Sequence, residues 1–212
     1  MTSFKDFHIL EPIGKGSFAS VYKVQRKSDG KIYALKRVKI EKMSKKAIAD
    51  VLNEIRFLSS VRHSNIVGFL EAFLENNDKE LCIIMEFCGS GDLSQKVERY
   101  KKRKQYIDES VLWRYLIQAL KALHHLHRKG ILHRDVKCAN CFLSEDGSLK
   151  LGDMNVSKRL NQRGLLNTQI GTPVGVSAKH PIYQYVYSIT CLLKFGATAH
   201  TMELVTCGRW DA

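Results

Sequence analysis

The sequence predicts an α+β chain in two lobes: an antiparallel N-terminal sheet with one helix, then a mainly helical half. Three observations carry this. Residues 4–40 alternate apolar and polar side chains, as in Ser20-Val21-Tyr22-Lys23-Val24 and Ile32-Tyr33-Ala34-Leu35, with Gly-containing turns between the runs. Alternation with period two is the mark of a half-buried strand. Past residue 110 apolar residues recur at helical spacing instead, and Cys88-Gly89-Ser90-Gly91 punctuates the chain as a connector.

Each element has its own signal. Ser28-Asp29-Gly30 supplies a hairpin turn between the second and third strand runs. Ile48, Leu52, Ile55 and Leu58 recur at helical spacing behind Ser44, an N-cap residue type. Ile66–Leu74 and Leu81–Phe87 read as two further strands, giving five strands and one helix over residues 1–87. Val111, Tyr115, Leu116, Ala119, Leu120, Leu123 and Leu126 then form one apolar stripe of a long helix that Gly130 stops. Cys141–Leu143 and Ser148–Leu151 flank Asp146-Gly147, a hairpin signal.

The 212 residues, 44% hydrophobic and 26% charged, fit a globular chain with a sizeable core and exclude disordered, collagen-like and repeat architectures. The formal charge of +13 permits acidic partners. Much of it is local, in Lys96, Arg99, Lys101, Lys102, Arg103 and Lys104; residues 96–104 read as a solvated helix face, with docking of an acidic protein as the alternative. No nucleic-acid-binding motif is present, so no nucleic-acid partner is expected. Six cysteines without a signal peptide predict a reducing setting, cytoplasmic or nuclear. Cys138 and Cys141 form a C-x-x-C, but no second pair or suitably spaced His completes a zinc site. The apolar stretch Tyr185–Leu193 is too short to span a bilayer, so no membrane insertion is expected.

The chemistry concentrates in His133-Arg134-Asp135-Val136-Lys137-Cys138-Ala139-Asn140. A carboxylate, a cation and an amide close together in a loop suit the handling of a triphosphate, its metal and an attacking hydroxyl. Asp135 can accept a hydroxyl proton, Lys137 can neutralise charge on a moving phosphoryl group, and Asn140 can hold a magnesium ion. Upstream, Gly14-Lys15-Gly16-Ser17-Phe18-Ala19-Ser20-Val21 joins the first two strands, and its small residues let backbone amides approach phosphate oxygens. Such a hairpin is common by itself; its place ahead of Tyr33-Ala34-Leu35-Lys36 gives it meaning.

Together these motifs resemble eukaryotic protein kinases of the serine/threonine class. Gly-Lys-Gly-Ser-Phe, Leu-Lys, Leu-Asn-Glu-Ile, Arg-His-Ser-Asn-Ile-Val and Gly-Asp-Met are similar to NIMA-related (Nek) kinases, over residues 4–173. The resemblance implies ATP and Mg²⁺ as cofactors, a protein substrate with Ser or Thr hydroxyls, and a two-lobed kinase-like fold. In that reading Lys36 grips the α- and β-phosphates and pairs with Glu54. Ile13, Gly14, Gly16, Ser17, Val21, Ala34, Met85, Glu86 and Cys88 surround ATP, with Phe87 in the same hinge. Asp135 and Lys137 act at the hydroxyl, Asn140 and Asp153 hold the metal, and Thr168 is the activation-loop phosphosite, whose phosphate would pair with Arg134. Thr172 resembles the threonine that contacts Asp135 and Lys137. Two departures are plain: Ala19 stands for the third glycine of the flap, and Asp153-Met154-Asn155 stands for Asp-Phe-Gly. Location at the cytoskeleton or a cilium is implied by the Nek resemblance alone.

The resemblance divides the chain into an N-lobe (1–87), a partial C-lobe (88–173) and a tail (174–212) unlike the family. The genetic code offers an origin for the tail. Val174 must begin with GT, as a splice donor does, and Tyr187-Ser188 can be encoded TAC AGT, which contains an acceptor-like TACAG. Read from the T of AGT, permitted codons can spell a run containing Ser-Pro-Glu-Ile and Asp-Met-Trp-Ser, the family's continuation. The expectation is a retained intron followed by an out-of-frame exon, leaving an incomplete helical C-lobe. Two functions follow: an ATP-dependent serine/threonine kinase, or a catalytically impaired fragment that acts as a binding module or has no function. A small-molecule phosphotransferase is disfavoured by Thr168 and Gly171-Thr172-Pro173, which belong to a protein-substrate activation segment.

Overall fold

A computed structural model describes residues 2–152, apart from 17–18, 42–47, 49–51, 53–54, 56–58, 78, 132 and 134. The chain divides at Cys88/Gly89 into two compact units. The first is an antiparallel sheet of β1 (Phe7–Lys15), β2 (Ala19–Arg26), β3 (Ile32–Lys39), β4 (Phe69–Glu75) and β5 (Glu80–Glu86), in the order β1-β2-β3-β5-β4. The expected meander holds for the first three strands. β5 then inserts between β3 and β4, and the fourth strand starts at Phe69 rather than Ile66, whose single bridge stands apart. Gly30, at φ 67°, closes the β2–β3 hairpin by donating its N–H to the Arg26 carbonyl.

Register decides what each face of the sheet carries. Val38, Leu81 and Ile83 are buried on one face with Ile40 and Ile55, and Ala19, Phe69, Ala72, Leu74 and Met85 pack against them. Ile48, Leu52, Ile55 and Ser59 are helical, and Ile48 and Leu52 also pack here, as the sequence spacing predicts. Leu58 and Ser44 lie outside the described residues. The opposite face buries Phe7, Val24, Leu35 and Ile84, with Phe4, Tyr22, Tyr33 and Phe73 beside them. Fully burying one such side chain contributes roughly 1.5–3 kcal/mol. The Arg26 guanidinium lies 4.9 Å over the Tyr33 ring and pairs with Glu71; that of Arg37 lies 4.9 Å over Phe4 and pairs with Glu80. Two arginines thus close this apolar layer with planar cations.

The second unit contains α1 (Leu93–Lys102), α2 (Glu109–Arg128), and the hairpin β6 (Cys141–Leu143) and β7 (Leu149–Leu151). Asp92 caps α1 by accepting the Gln95 N–H at 3.0 Å, and Asp108 caps α2 by accepting the Ser110 N–H at 2.8 Å. α2 ends where Gly130, at φ 71°, donates to His127 and Ile131 donates to Leu126. Its buried residues are Leu112, Tyr115, Ala119, Ala122, Leu123 and Leu126. This corrects the predicted stripe: Leu120 is exposed, Leu116 and Val111 are half-buried, and Leu112 and Ala122 take the core positions. Both faces of α2 carry apolar residues at helical spacing, so packing alone selects between them. Gln118 on α2 accepts the Leu149 N–H at 2.8 Å and so fixes β7 to the helix. Among the described residues no helix is long and apolar enough to cross a membrane.

Candidate functional site

Strand pairing gathers four of the ten expected nucleotide residues on one face of the sheet. Val21 stands opposite Lys36, and Ala34 stands opposite Met85. Opposite residues in an antiparallel pair share a face, as do residues two apart on one strand. Val21, Ala34, Lys36 and Met85 therefore share the face that the helix containing Ile55 covers. Gly14 pairs with Val21 across β1–β2, and a Cβ there would lie 3.6 Å from the Val21 Cβ. The turn is drawn in by the Gly16 N–H donating to the Ala19 carbonyl at 2.8 Å. Ile13 is exposed on β1. Ser17 and Glu54 lie outside the described residues, so the expected Lys36–Glu54 pair falls there too.

Glu86 and Cys88 are half-buried at the end of β5. Glu86 holds the chain entering β4 twice: its N–H donates to the Gly68 carbonyl at 2.7 Å, and its carboxylate accepts the Gly68 N–H at 3.0 Å. This fixes the strand that leads to the expected hinge.

In the second unit the octet is built around two buried polar side chains, His133 and Asn140. Because a carbonyl can only accept, the His133 Nε2–H donates to the Gly152 oxygen at 2.9 Å; Nδ1 faces the Asp135 N–H at 3.4 Å. Asn140 Nδ2 donates to the Asp135 carbonyl at 2.8 Å and to its carboxylate Oδ2 at 3.1 Å. The Asn140 carbonyl in turn accepts the Gly152 N–H at 2.9 Å. His133 and Asn140 thus bind the octet to the chain leaving β7, directly ahead of Asp153. Sequence motifs name both residues but not this shared anchor at Gly152, which depends on the β6–β7 hairpin bringing it back.

Lys137 Nζ lies 3.0 Å from Asp135 Oδ2, its side chain 55% exposed against 20% for Asp135. The cation reaches outward while the carboxylate is held from behind. Asn140 commits its amide nitrogen to Asp135, which leaves its amide oxygen as the donor suited to a hard cation. That chemistry fits Mg²⁺. The second expected ligand, Asp153, lies outside the described residues, as do Arg134, Thr168 and Thr172. Among the described residues no three His, Cys, Asp or Glu side chains gather as a metal centre. Cys141 is buried and burial pushes its thiol up to about 12, which suits a packing role rather than metal or redox use.

Known proteins match this sequence over most of its length. A protein kinase domain matches residues 7–177. The chain is 38% identical over 201 residues to the probable serine/threonine-protein kinase nek2 of Dictyostelium discoideum, covering 91% of this chain and 48% of that protein. It is 33% identical to the G2-specific protein kinase nimA of Emericella nidulans, covering 88% and 32% respectively, and 32% identical to mouse (Mus musculus) serine/threonine-protein kinase Nek2, covering 89% and 45%. The chain spans about half or less of the length of these relatives. On these matches this chain belongs to the protein kinase family, and its relatives include NIMA-related serine/threonine kinases.

Proposed function

We propose that the chain transfers the γ-phosphate of ATP to Ser or Thr hydroxyls of a protein substrate. The observation that carries this reading is the Asp135 carboxylate, held by Asn140 and flanked by Lys137. Asp135 would orient the substrate hydroxyl and accept its proton as the oxygen–phosphorus bond forms and ADP leaves. Lys137, on the exposed side, is placed to neutralise charge spreading over the transferred group. Lys36 would position the α- and β-phosphates with Glu54 as its partner. Ile13, Gly14, Gly16, Ser17, Val21, Ala34, Met85, Glu86 and Cys88 would enclose the nucleotide. Asn140 and Asp153 would hold Mg²⁺, which supplies charge screening between the phosphates when bound. Phosphorylation of Thr168 would regulate the loop.

The test is transfer of labelled phosphate from ATP to a protein rich in Ser, Thr and Tyr, followed by phosphoamino-acid analysis. Label on Ser and Thr is expected. Label confined to Tyr, or transfer only to small molecules, contradicts the reading.

A second reading is a catalytically impaired chain in which residues 174–212 do not complete the helical lobe. The observation that favours it is on α2, where Trp113, Ile117 and Leu120 recur at helical spacing yet stay 44%, 49% and 41% exposed. An apolar face of this kind is commonly an interface. Replacing residues 174–212 with the frame-shifted family continuation should raise transfer severalfold; equal activity of the two chains rules this reading out. The coding DNA at the Ser188 codon checks its origin, since absence of an AG acceptor there removes the intron account.

A further inference from the structure

The basic run after the connector divides in two once it is folded. Lys96 turns inward: its ammonium donates to the Tyr115 hydroxyl at 2.8 Å and lies 5.2 Å from the centre of that ring. Arg99, Lys101, Lys102, Arg103 and Lys104 stay exposed, on the last turn of α1 and just beyond it. One or two cations complement the carbonyl end of a helix. This end carries five within six positions, and Arg99 stands three and four residues from Lys102 and Arg103, where like charges oppose each other.

Acidic side chains are few here: Glu98, three and four residues before Lys101 and Lys102 on α1, is the one within the run, and the others nearby are engaged elsewhere. Asp92 caps the far end of α1, Asp108 caps α2, and Glu109 accepts the Trp113 indole N–H at 3.1 Å. Among the described residues Arg99, Lys102, Arg103 and Lys104 form no ion pair. Two residues after Lys104 comes Tyr106, 69% exposed, next to buried Ile107, which anchors the loop. The result is a compact cationic surface with one projecting aromatic ring.

We propose that Arg99–Lys104 and Tyr106 dock an acidic segment of a protein partner, several Asp or Glu residues around an apolar side chain that meets Tyr106. Charge complementarity selects an anion. A bilayer surface is a poorer match, because the buried residues of α1, Leu93 and Val97, face its own unit and leave no apolar face to insert. Single-stranded nucleic acid is tracked by basic side chains along a groove with successive stacking rings, whereas this run is short and offers a single exposed ring. The inference goes beyond the kinase reading and is independent of phosphoryl transfer.

The test is fluorescence anisotropy of a short peptide of Glu and Asp with one central Phe, added to the full chain without nucleotide. Reversing the patch (K102E/R103E/K104E) should weaken binding about tenfold, and the milder R103A/K104A should weaken it less but measurably. The control K27E/K31E/K39E makes the same charge change on exposed lysines of the first unit and should leave binding within about twofold. Thermal melting of each variant separates lost binding from lost folding, and R103A/K104A carries the test if the triple reversal unfolds. The proposal is overturned if the wild-type chain does not bind the peptide, or if the control weakens binding as much as the patch variant. It is also overturned if vesicles of phosphatidylcholine and phosphatidylserine, or a single-stranded oligonucleotide, bind this patch more tightly than the peptide does.

Discussion

The two units hold their candidate residues by different means. On the sheet, Val21, Ala34, Lys36 and Met85 come together because strand period and register leave no other arrangement, and an apolar cluster on each face enforces that register. In the loop, Asp135 is held by the side chains of Lys137 and Asn140, and the loop is tied to Gly152 by His133 and Asn140. The sheet arrangement is a by-product of folding; the loop arrangement is a set of individual hydrogen bonds. Changes in the first should therefore cost stability, and changes in the second should cost chemistry at nearly unchanged stability.

The largest effect that sharpens this contrast is Asp135→Asn. Phosphoryl transfer should fall by about a thousandfold, with a melting temperature close to that of the parent, measured by labelled ATP and by circular dichroism. Leu35→Ala tests the other side. Leu35 is fully buried between the sheet and the Phe4–Phe7 segment, so the change should cost about 2–5 kcal/mol in urea denaturation. A loss below about 1 kcal/mol would mean that register does not depend on this cluster.

His133→Phe probes where the contrast blurs, because His133 is both buried and polar. It leaves the Gly152 carbonyl without its donor and should cost about 1–3 kcal/mol, read by denaturation, together with slower transfer. Gly91→Ala should cost roughly 1–2 kcal/mol, since Gly91 sits at φ 77° and an added Cβ would meet the Gln95 side chain. The mildest test is chemical. Burial pushes the Cys82 and Cys141 thiols up to about 12, while Cys88 and Cys138 are half-buried. Alkylation near pH 8 followed by peptide mapping should modify Cys88 and Cys138 first, and reach Cys82 and Cys141 only on unfolding. Early modification of Cys82 would show that the sheet opens.

Much of this was legible in the sequence for a physical reason: local patterns encode local structure. Period-two runs mark β1–β3, Ser28-Asp29-Gly30 marks the β2–β3 turn and Asp146-Gly147 the β6–β7 turn, and the octet carries its candidate chemistry in consecutive residues. The insertion of β5 beside β3 was not legible, because strand order is a tertiary choice. Nor was the buried face of α2, where Leu112 and Ala122 rather than Val111 and Leu120 reach the core, since two adjacent apolar faces share one helical period. Lys96 reads as part of a charged run until Tyr115, nineteen residues on, takes its ammonium. The octet's anchor at Gly152 is hidden for the same reason.

The measurement that tests this separation most directly is Mg-ATP affinity, by displacement of a fluorescent nucleotide, in the parent chain, Ala34→Phe and Asp135→Asn. Ala34→Phe places a ring on the sheet face between Lys23 and Met85, beside Lys36 and Val21. It should weaken nucleotide binding by at least about tenfold, while Asp135→Asn binds like the parent. Unchanged affinity in a folded Ala34→Phe chain, or lost affinity in Asp135→Asn, would contradict the assignment of binding to the sheet face and chemistry to the loop.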